Sequence, residues 1–397
     1  MHDTIPLQAD IRTRHLMLPA IPLVLTLASR NLFHDRIRFV ATMIGIVFSI
    51  VLVTVQLGLY VSCSRMITAM IDRARADLWI VPLNAKSFED TAVLEGDERF
   101  RALAIPGVAD VISLVAGFST WRKPDGGTTV VIIVGIDPDH TALRPWNFVN
   151  GSLDDLATPD GVIVDRSYFN RLGITGVGQR AEITGLRVRV VALTNLVRSF
   201  TTAPFIFTTL ERARHFLRAG SNNSTYFLIQ VSPAANLDEI RARLAGYLTD
   251  AEVITPEEFR NRSLQTWLYG TGAGAGLIGG AILGVIVGTV IVAQILYSST
   301  KDHLNEFATL RAIGSSASYI HQIILWQAFL SAVIGFSIAA MLGLIITQVT
   351  ATTAVPVIMT PLLTLGLFIL AVLMCALSAV SAIVKVTRID PAVVFNR

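Results

Sequence analysis

The chain has 397 residues, 52% of them hydrophobic and only 15% charged, with a mean hydropathy of +0.59. Soluble domains carry nearer 25% charged residues, so an all-soluble globular protein is excluded, and two cysteines exclude a disulfide-stapled scaffold. The net charge of +3 is unevenly placed: residues 63–271 hold 22 Lys/Arg against 23 Asp/Glu, and the rest of the chain holds ten against six. That pattern fits membrane topology rather than a polyanion groove, so no nucleic-acid partner is expected.

Residues 1–38 carry Arg12, Arg14, Arg30, Arg36 and Arg38 and read as a cytoplasmic N-terminal segment. A first span is expected at 39–62, longer than the apolar region of a signal peptide. Tyr60-Val61-Ser62-Cys63 lacks the leucine usual before a lipoprotein cleavage site, so Cys63 reads as a membrane-edge thiol.

Residues 63–271 read as a mixed α/β extracytoplasmic domain, large enough for a real core and for two lobes. Its β-rich runs are 78–83, 128–136, 161–165, 186–193, 204–210 and 226–231, with a turn at 123–127. Residues 236–248 have helical period, with Leu237, Ile240, Leu244 and Leu248 on one face. The acidic run 88–98 reads as a solvated loop, and Asp137–Trp146 as turn chemistry.

A second span is expected at 272–297, where Gly272, Gly276, Gly280, Gly284 and Gly288 recur every fourth residue. Each glycine would cost about 1 kcal/mol in a water-exposed helix, but in lipid small residues four apart let two helix backbones approach closely. Four residues turn a helix by about 400°, so these glycines form a slowly spiralling groove for a neighbouring span.

The loop 298–321 opens with Ser299 and Asp302 at capping-box spacing, continues as a short amphipathic helix and stops at Gly314. Such a helix suits either the membrane surface or a protein partner. Spans three and four are expected at 322–349 and 362–384, joined by the short outer loop 350–361 and followed by a basic tail, 385–397. The fold class is thus a polytopic α-helical membrane protein, with four transmembrane helices and the α/β domain between the first and second. Basic short loops place both termini and 298–321 in the cytoplasm. The spans contain no Asp, Glu, Lys, Arg or His, which disfavours an ion-coupled carrier.

Catalytic motifs are missing from the sequence. No phosphate-binding loop of the form Gly-x4-Gly-Lys-Ser/Thr occurs, so the chain has no such ATP site and is not expected to be an enzyme. The seven histidines are scattered without metal-ligand spacing, so neither a metal nor another cofactor is expected on this chain.

"EFATLRAIGSS" (306–316) resembles the cytoplasmic signature of FtsX/MacB-type ABC transporter permeases, and "KVTRIDPAVVFNR" resembles their closing tail. "ASRNLFHDRIRFVATMIGIVFSI" resembles their opening, and "GVIVDRSYFNRLGI" their outer domain; the DevC-like branch is the nearest in pattern. The resemblance implies a dimer, homo- or heteromeric, in the bacterial inner membrane, with ATP and Mg on a separate ATPase subunit and no transport tunnel. It also implies that Glu306, Phe307, Leu310, Arg311 and Gly314 contact that ATPase as a coupling helix. The function implied is transmission of ATPase motion to the outer domain for export or extraction of an amphipathic or periplasmic substrate; members of the DevC-like branch work with a membrane-fusion protein, and whether that protein and an outer-membrane channel attach here stays open. The alternative is a non-transporting signal relay acting on a cell-envelope partner.

Overall fold

The computed structural model describes residues 23–303, 306, 309 and 316–387. Phe307, Leu310, Arg311 and Gly314 lie outside the described residues. Two compact units divide the chain: one takes the described parts of Met1–Val51, Leu283–Met341 and Thr364–Arg397, the other takes Leu52–Ile282 and Leu342–Leu363.

In chain order the helices are α1 (Leu23–His34), α2 (Arg36–Arg73), α3 (Asp97–Leu103), α4 (Phe169–Leu172), α5 (Leu210–Leu217), α6 (Leu237–Tyr247), α7 (Pro256–Leu264), α8 (Ala273–Asp302), α9 (Ala317–Thr350) and α10 (Pro361–Thr387). The strands are β1 (Leu78–Pro82), β2 (Val108–Arg122), β3 (Thr128–Ile136), β4 (Phe148–Asn150), β5 (Gly161–Asp165), β6 (Arg180–Ile183), β7 (Leu186–Thr194), β8 (Phe205–Thr209), β9 (Tyr226–Val231) and β10 (Ala251–Ile254).

Among the described residues, four helices are long and apolar enough to cross a membrane: Arg36–Arg73, Ala273–Asp302, Ser318–Thr350 and Pro361–Val384. Hydrocarbon cannot satisfy a backbone N–H or C=O, so uncharged runs of this length are forced into helix. In the first unit the four share a core in which small residues let backbones approach. Ile46 and Ile50 of α2, Val292 of α8, Ala328 and Ala332 of α9, and Ala371, Cys375 and Ala379 of α10 are all buried there. Ser378 crosses between helices by donating to the Thr289 carbonyl at 3.0 Å.

The second unit holds the α/β domain. Its strands run β10-β1-β9-β2-β3-β8-β5-β7-β4, with β6 pairing both β2 and β7. The pairings are antiparallel except β3 with β8 and β5 with β7. β2 has 15 residues and spans about 50 Å. Its first half pairs β9 from Val108 to Leu114 and its second half pairs β3 from Val115 to Arg122, so one strand joins two lobes.

Side-chain alternation divides the core accordingly. On β1, Trp79 and Val81 face a shared central core with Tyr226, Phe88 and Phe259, whereas Leu78 and Ile80 face Ile240 and Leu244 of α6. On β3, Ile132 and Val134 join the central core, and Val131 and Ile133 meet Leu172 and Phe216. Period-two strands with helices on their outer faces thus bury three apolar layers.

Several sequence expectations change. The run 88–98 is not simply a solvated loop: Phe88 and Leu94 are buried, and the Glu98 carboxylate accepts the Gly96 N–H at 2.8 Å. Ala142 and Leu143 are buried within 137–146, where the Ala142 carbonyl accepts from Arg75 N at 2.6 Å. Leu237 stays 37% exposed while Ile240, Leu244 and Leu248 are buried. Ser299 does not cap a new helix, because α8 continues unbroken to Asp302 with Leu296 and Thr300 still on its buried side.

Candidate functional site

The segment that enters α8 is jointed. α7 begins with a capping box, Thr255 Oγ1 accepting from Glu258 N at 3.2 Å and Glu258 Oε2 accepting from Thr255 N at 3.0 Å. It then relaxes into a π-helical turn, Gln265–Gly270, and Gly272 adopts a left-handed φ of +76° before α8 starts. A glycine is required there because a side chain is strained at that φ. The joint is anchored on three sides: Trp267 packs on Phe200 with ring centroids 5.4 Å apart, Tyr269 and Tyr60 share a 3.1 Å hydrogen bond, and Leu268 is buried with Cys63 and Ile67.

The five glycines therefore separate by role. Gly272 lies in the joint, ahead of the helix, and Gly276 faces open space. Gly280 faces Gln56 of α2, where an added Cβ would meet Nε2 at 2.6 Å. The Gly284 carbonyl accepts the Ser49 hydroxyl at 2.7 Å. A Cβ on Gly288 would collide with Ser49 and stand 3.0 Å from the Met374 sulfur of α10. Ala281, Gly284, Gly288, Val292 and Leu296 are all buried, at three- and four-residue spacing. Gly280, Gly284 and Gly288 thus line the contact with α2, and at Gly288 the groove also reaches α10.

The opposite face of α8 is bare. Gly276, Leu283, Ile286 and Val290 are exposed at near-heptad spacing.

At its other end, α8 is tied to the start of α2. Arg38 pairs with Asp302 at 2.5 Å, and its backbone N–H bonds Asp35 at 3.2 Å. Nothing local in the sequence marks this partner 264 residues away, so from its sequence context Arg38 is only a topology charge. Beyond Asp302, Glu306 is exposed and lies 3.0 Å from His303 Nδ1. The rest of the anticipated ATPase contact falls on residues outside the description. Among the described residues no three His, Cys, Asp or Glu side chains group as a metal site.

Two family models cover this architecture. The MacB-like periplasmic core domain matches residues 39–247, and the FtsX-like permease C-terminal domain matches residues 278–391. The chain belongs to the MacB/FtsX-type ABC transporter permeases. The α/β domain between the first and second spans of this permease is the family's periplasmic core domain, and the four apolar helices make it a multi-pass membrane protein.

Two uncharacterized ABC transporter permeases of Mycobacterium tuberculosis, from different strains, are each 25% identical over 381 residues, covering 93% of this chain and 98% of their own. Among solved structures, the periplasmic region of MacB from Actinobacillus actinomycetemcomitans aligns at 11% identity and a TM-score of 0.37, covering 48% of this permease and 94% of that chain. The extracellular domain of the transporter YknZ from Gram-positive bacteria aligns at 15% identity and a TM-score of 0.34, covering 45% and 99%. The FtsX-like permease model fits a transporter subunit.

Proposed function

We propose that this permease carries the motion of an ATPase subunit across the bacterial inner membrane to its α/β domain, and so drives export or extraction of an amphipathic or periplasmic substrate. The observation that carries this reading is α8. It is one unbroken helix from the joint at Gly272 to Asp302, with its glycine face against α2 and its foot tied to Arg38.

A stiff helix in a smooth small-residue groove can shift along its neighbour without unlocking interdigitated side chains. The jointed π turn above it is a place for that shift to become a domain movement. The loop 298–321 and both termini lie on the cytoplasmic side in this reading, and Glu306, Phe307, Leu310, Arg311 and Gly314 meet the ATPase. That subunit binds ATP and Mg, and this chain binds no cofactor. The bare face of α8, with Gly276, Leu283, Ile286 and Val290, suits a second permease copy. A membrane-fusion protein and an outer-membrane channel complete the assembly.

The test uses the permease reconstituted in vesicles with its ATPase, spin-labelled at Asp125→Cys on the exposed tip of the β2–β3 turn. Label distances between the two copies should change on trapping the ATP-bound state, and Gly288→Leu should abolish that change while ATP hydrolysis continues. Unchanged distances during active hydrolysis would refute the proposal.

A further inference from the structure

The second unit contains a cavity of about 620 Å³, within the range of small-molecule sites, where the far end of α2 meets the end of α9, the segment after it and two loops of the α/β domain. α2 has 38 residues and is about 57 Å long, almost twice the thickness of a hydrocarbon core. Its uncharged run ends at Ser64, so Arg65 and Arg73 stand just past the apolar stretch, on the same helical face as Met66 and Ala69. The cavity is apolar on the side of Val357 and Met359 and cationic on the other.

Arg198 makes this a built site. It is only 4% exposed, yet among the described residues no carboxylate lies within ion-pair distance of it. Its Nη2 donates to the Ala351 carbonyl at 2.8 Å and its Nε to Ser167 Oγ at 3.4 Å, while Nη1 is buried without any partner. The nearby carboxylate, Asp165, is committed to other donors. Asp165 accepts from the Ser167 N–H at 2.9 Å and the Ser167 hydroxyl, and from the Thr194 hydroxyl at 3.0 Å and Val197 N at 2.7 Å.

Burial pulls the Arg198 guanidinium below its ordinary value, with Tyr168 and Asp165 opposing that shift. A buried cation with an idle donor carries a large desolvation cost unless an anion completes it.

The neighbouring charges have the same sign. Arg73 lies over the Trp146 ring at 5.3 Å and, like Arg65, has no ion pair among the described residues. The cavity's one acid, Asp72, is taken by Arg260 at 2.5 Å. Among the described residues, three guanidiniums thus face one cavity with no carboxylate within ion-pair distance, beside an apolar wall at the end of an uncharged run.

We propose that this cavity binds the anionic headgroup of a membrane amphiphile, its phosphate-type oxyanion held by Arg198, Arg65 and Arg73 and its chains against Val357 and Met359. Guanidinium forks match oxyanion geometry, and the adjoining apolar wall selects an anion that carries chains. The inference needs only the cavity and is independent of the coupling mechanism.

The full chain, purified in detergent and delipidated, is titrated by native mass spectrometry with dioleoyl phosphatidylglycerol, dioleoyl phosphatidylcholine or inorganic phosphate. Phosphatidylglycerol should bind at one site per chain at least tenfold tighter than phosphatidylcholine. Arg198→Gln, the exposed pair Arg65→Gln/Arg73→Gln, and Ala69→Trp, which fills the cavity without touching its charges, should each cost that site tenfold or more. The control Arg75→Gln/Arg101→Gln removes two charges outside the cavity and should leave binding unchanged. Should Arg198→Gln fail to fold, the other two variants decide. Equal affinity for the two lipids, or unaltered binding in the Arg65/Arg73 pair and Ala69→Trp, would overturn the proposal. So would saturable phosphate binding without a preference for the anionic lipid, which would mark a free-anion site.

Discussion

Replacing Gly288 by alanine tests the close packing of α8 on α2. The added Cβ would fall under 3.0 Å from both Cβ and Oγ of Ser49, which is the root of a short side chain and cannot swing away. Ordinary carbon contacts are about 3.5–4.0 Å, so the two helices must part by roughly 1 Å. The Ser49–Gly284 hydrogen bond, 2.7 Å long, would then stretch beyond bonding distance, a loss of about 1 kcal/mol. Overpacking contributes roughly 1–3 kcal/mol more, and the better helix propensity of alanine offsets about 1. The net expectation is a destabilisation of about 1–3 kcal/mol. Gly276→Ala meets nothing within 4 Å and should be neutral, or stabilising by up to about 1 kcal/mol. Unfolding of the purified permease in mixed micelles with rising dodecyl sulfate measures both variants. Equal stability of the two would refute the packing argument, as would failure of Ser49→Gly to recover part of the loss in the Gly288→Ala background.

Other expectations are smaller. Arg38→Gln and Asp302→Asn should each cost no more than about 1 kcal/mol, the usual worth of an exposed pair, and a double-mutant cycle in the same micelle assay should show them coupled. Burial raises the Glu89 carboxyl above the ordinary carboxylate value, against the hydrogen bond donated by Ser199 at 2.5 Å. A raised acid penalises folding once pH exceeds its unfolded value and up through its folded value, so Glu89→Gln should stabilise at pH 7. That gain should vanish under acid, below the unfolded value; thermal scans showing the same difference at pH 7 and pH 4 would contradict it. Tyr226 sends its hydroxyl among the carbonyls of Ser87, Phe88 and Asp90 at 2.9–3.2 Å, so Tyr226→Phe should lower stability by about 1 kcal/mol.

Physical forcing governs what could be read from the sequence. Four uncharged runs give four helices because hydrocarbon permits nothing else, and the β-branched runs at 128–136, 161–165 and 226–231 coincide with β3, β5 and β9. β2 is not legible in the sequence because it changes partners midway, from β9 to β3. Its inward face shifts along its length, Gly117 interrupts it, and no single period-two pattern survives over fifteen residues. The short strands β4, β6 and β10 are defined by their partners more than by their composition.

For the site, the spacing of glycines announced close packing, but only the fold separates Gly284 and Gly288, which touch α2, from Gly272 and Gly276, which do not. Ser299 looked like a cap by local chemistry, whereas α8 continues past it with Thr300 buried. Arg198 sits in an undistinguished Leu-Val-Arg-Ser stretch. Its significance lies in a buried Nη1 without a partner and in the commitment of nearby Asp165 to other donors, which no local spacing encodes.

Transmission across a bilayer requires that the α/β domain and the segment after α8 lie on opposite sides. Cys63 and Cys375 are both buried, so single cysteines at Asp137 and Glu306 can be labelled selectively. In intact cells a membrane-impermeant maleimide should label Asp137→Cys and spare Glu306→Cys, and permeabilised cells should label both. Equal labelling of the two positions in intact cells would contradict the account.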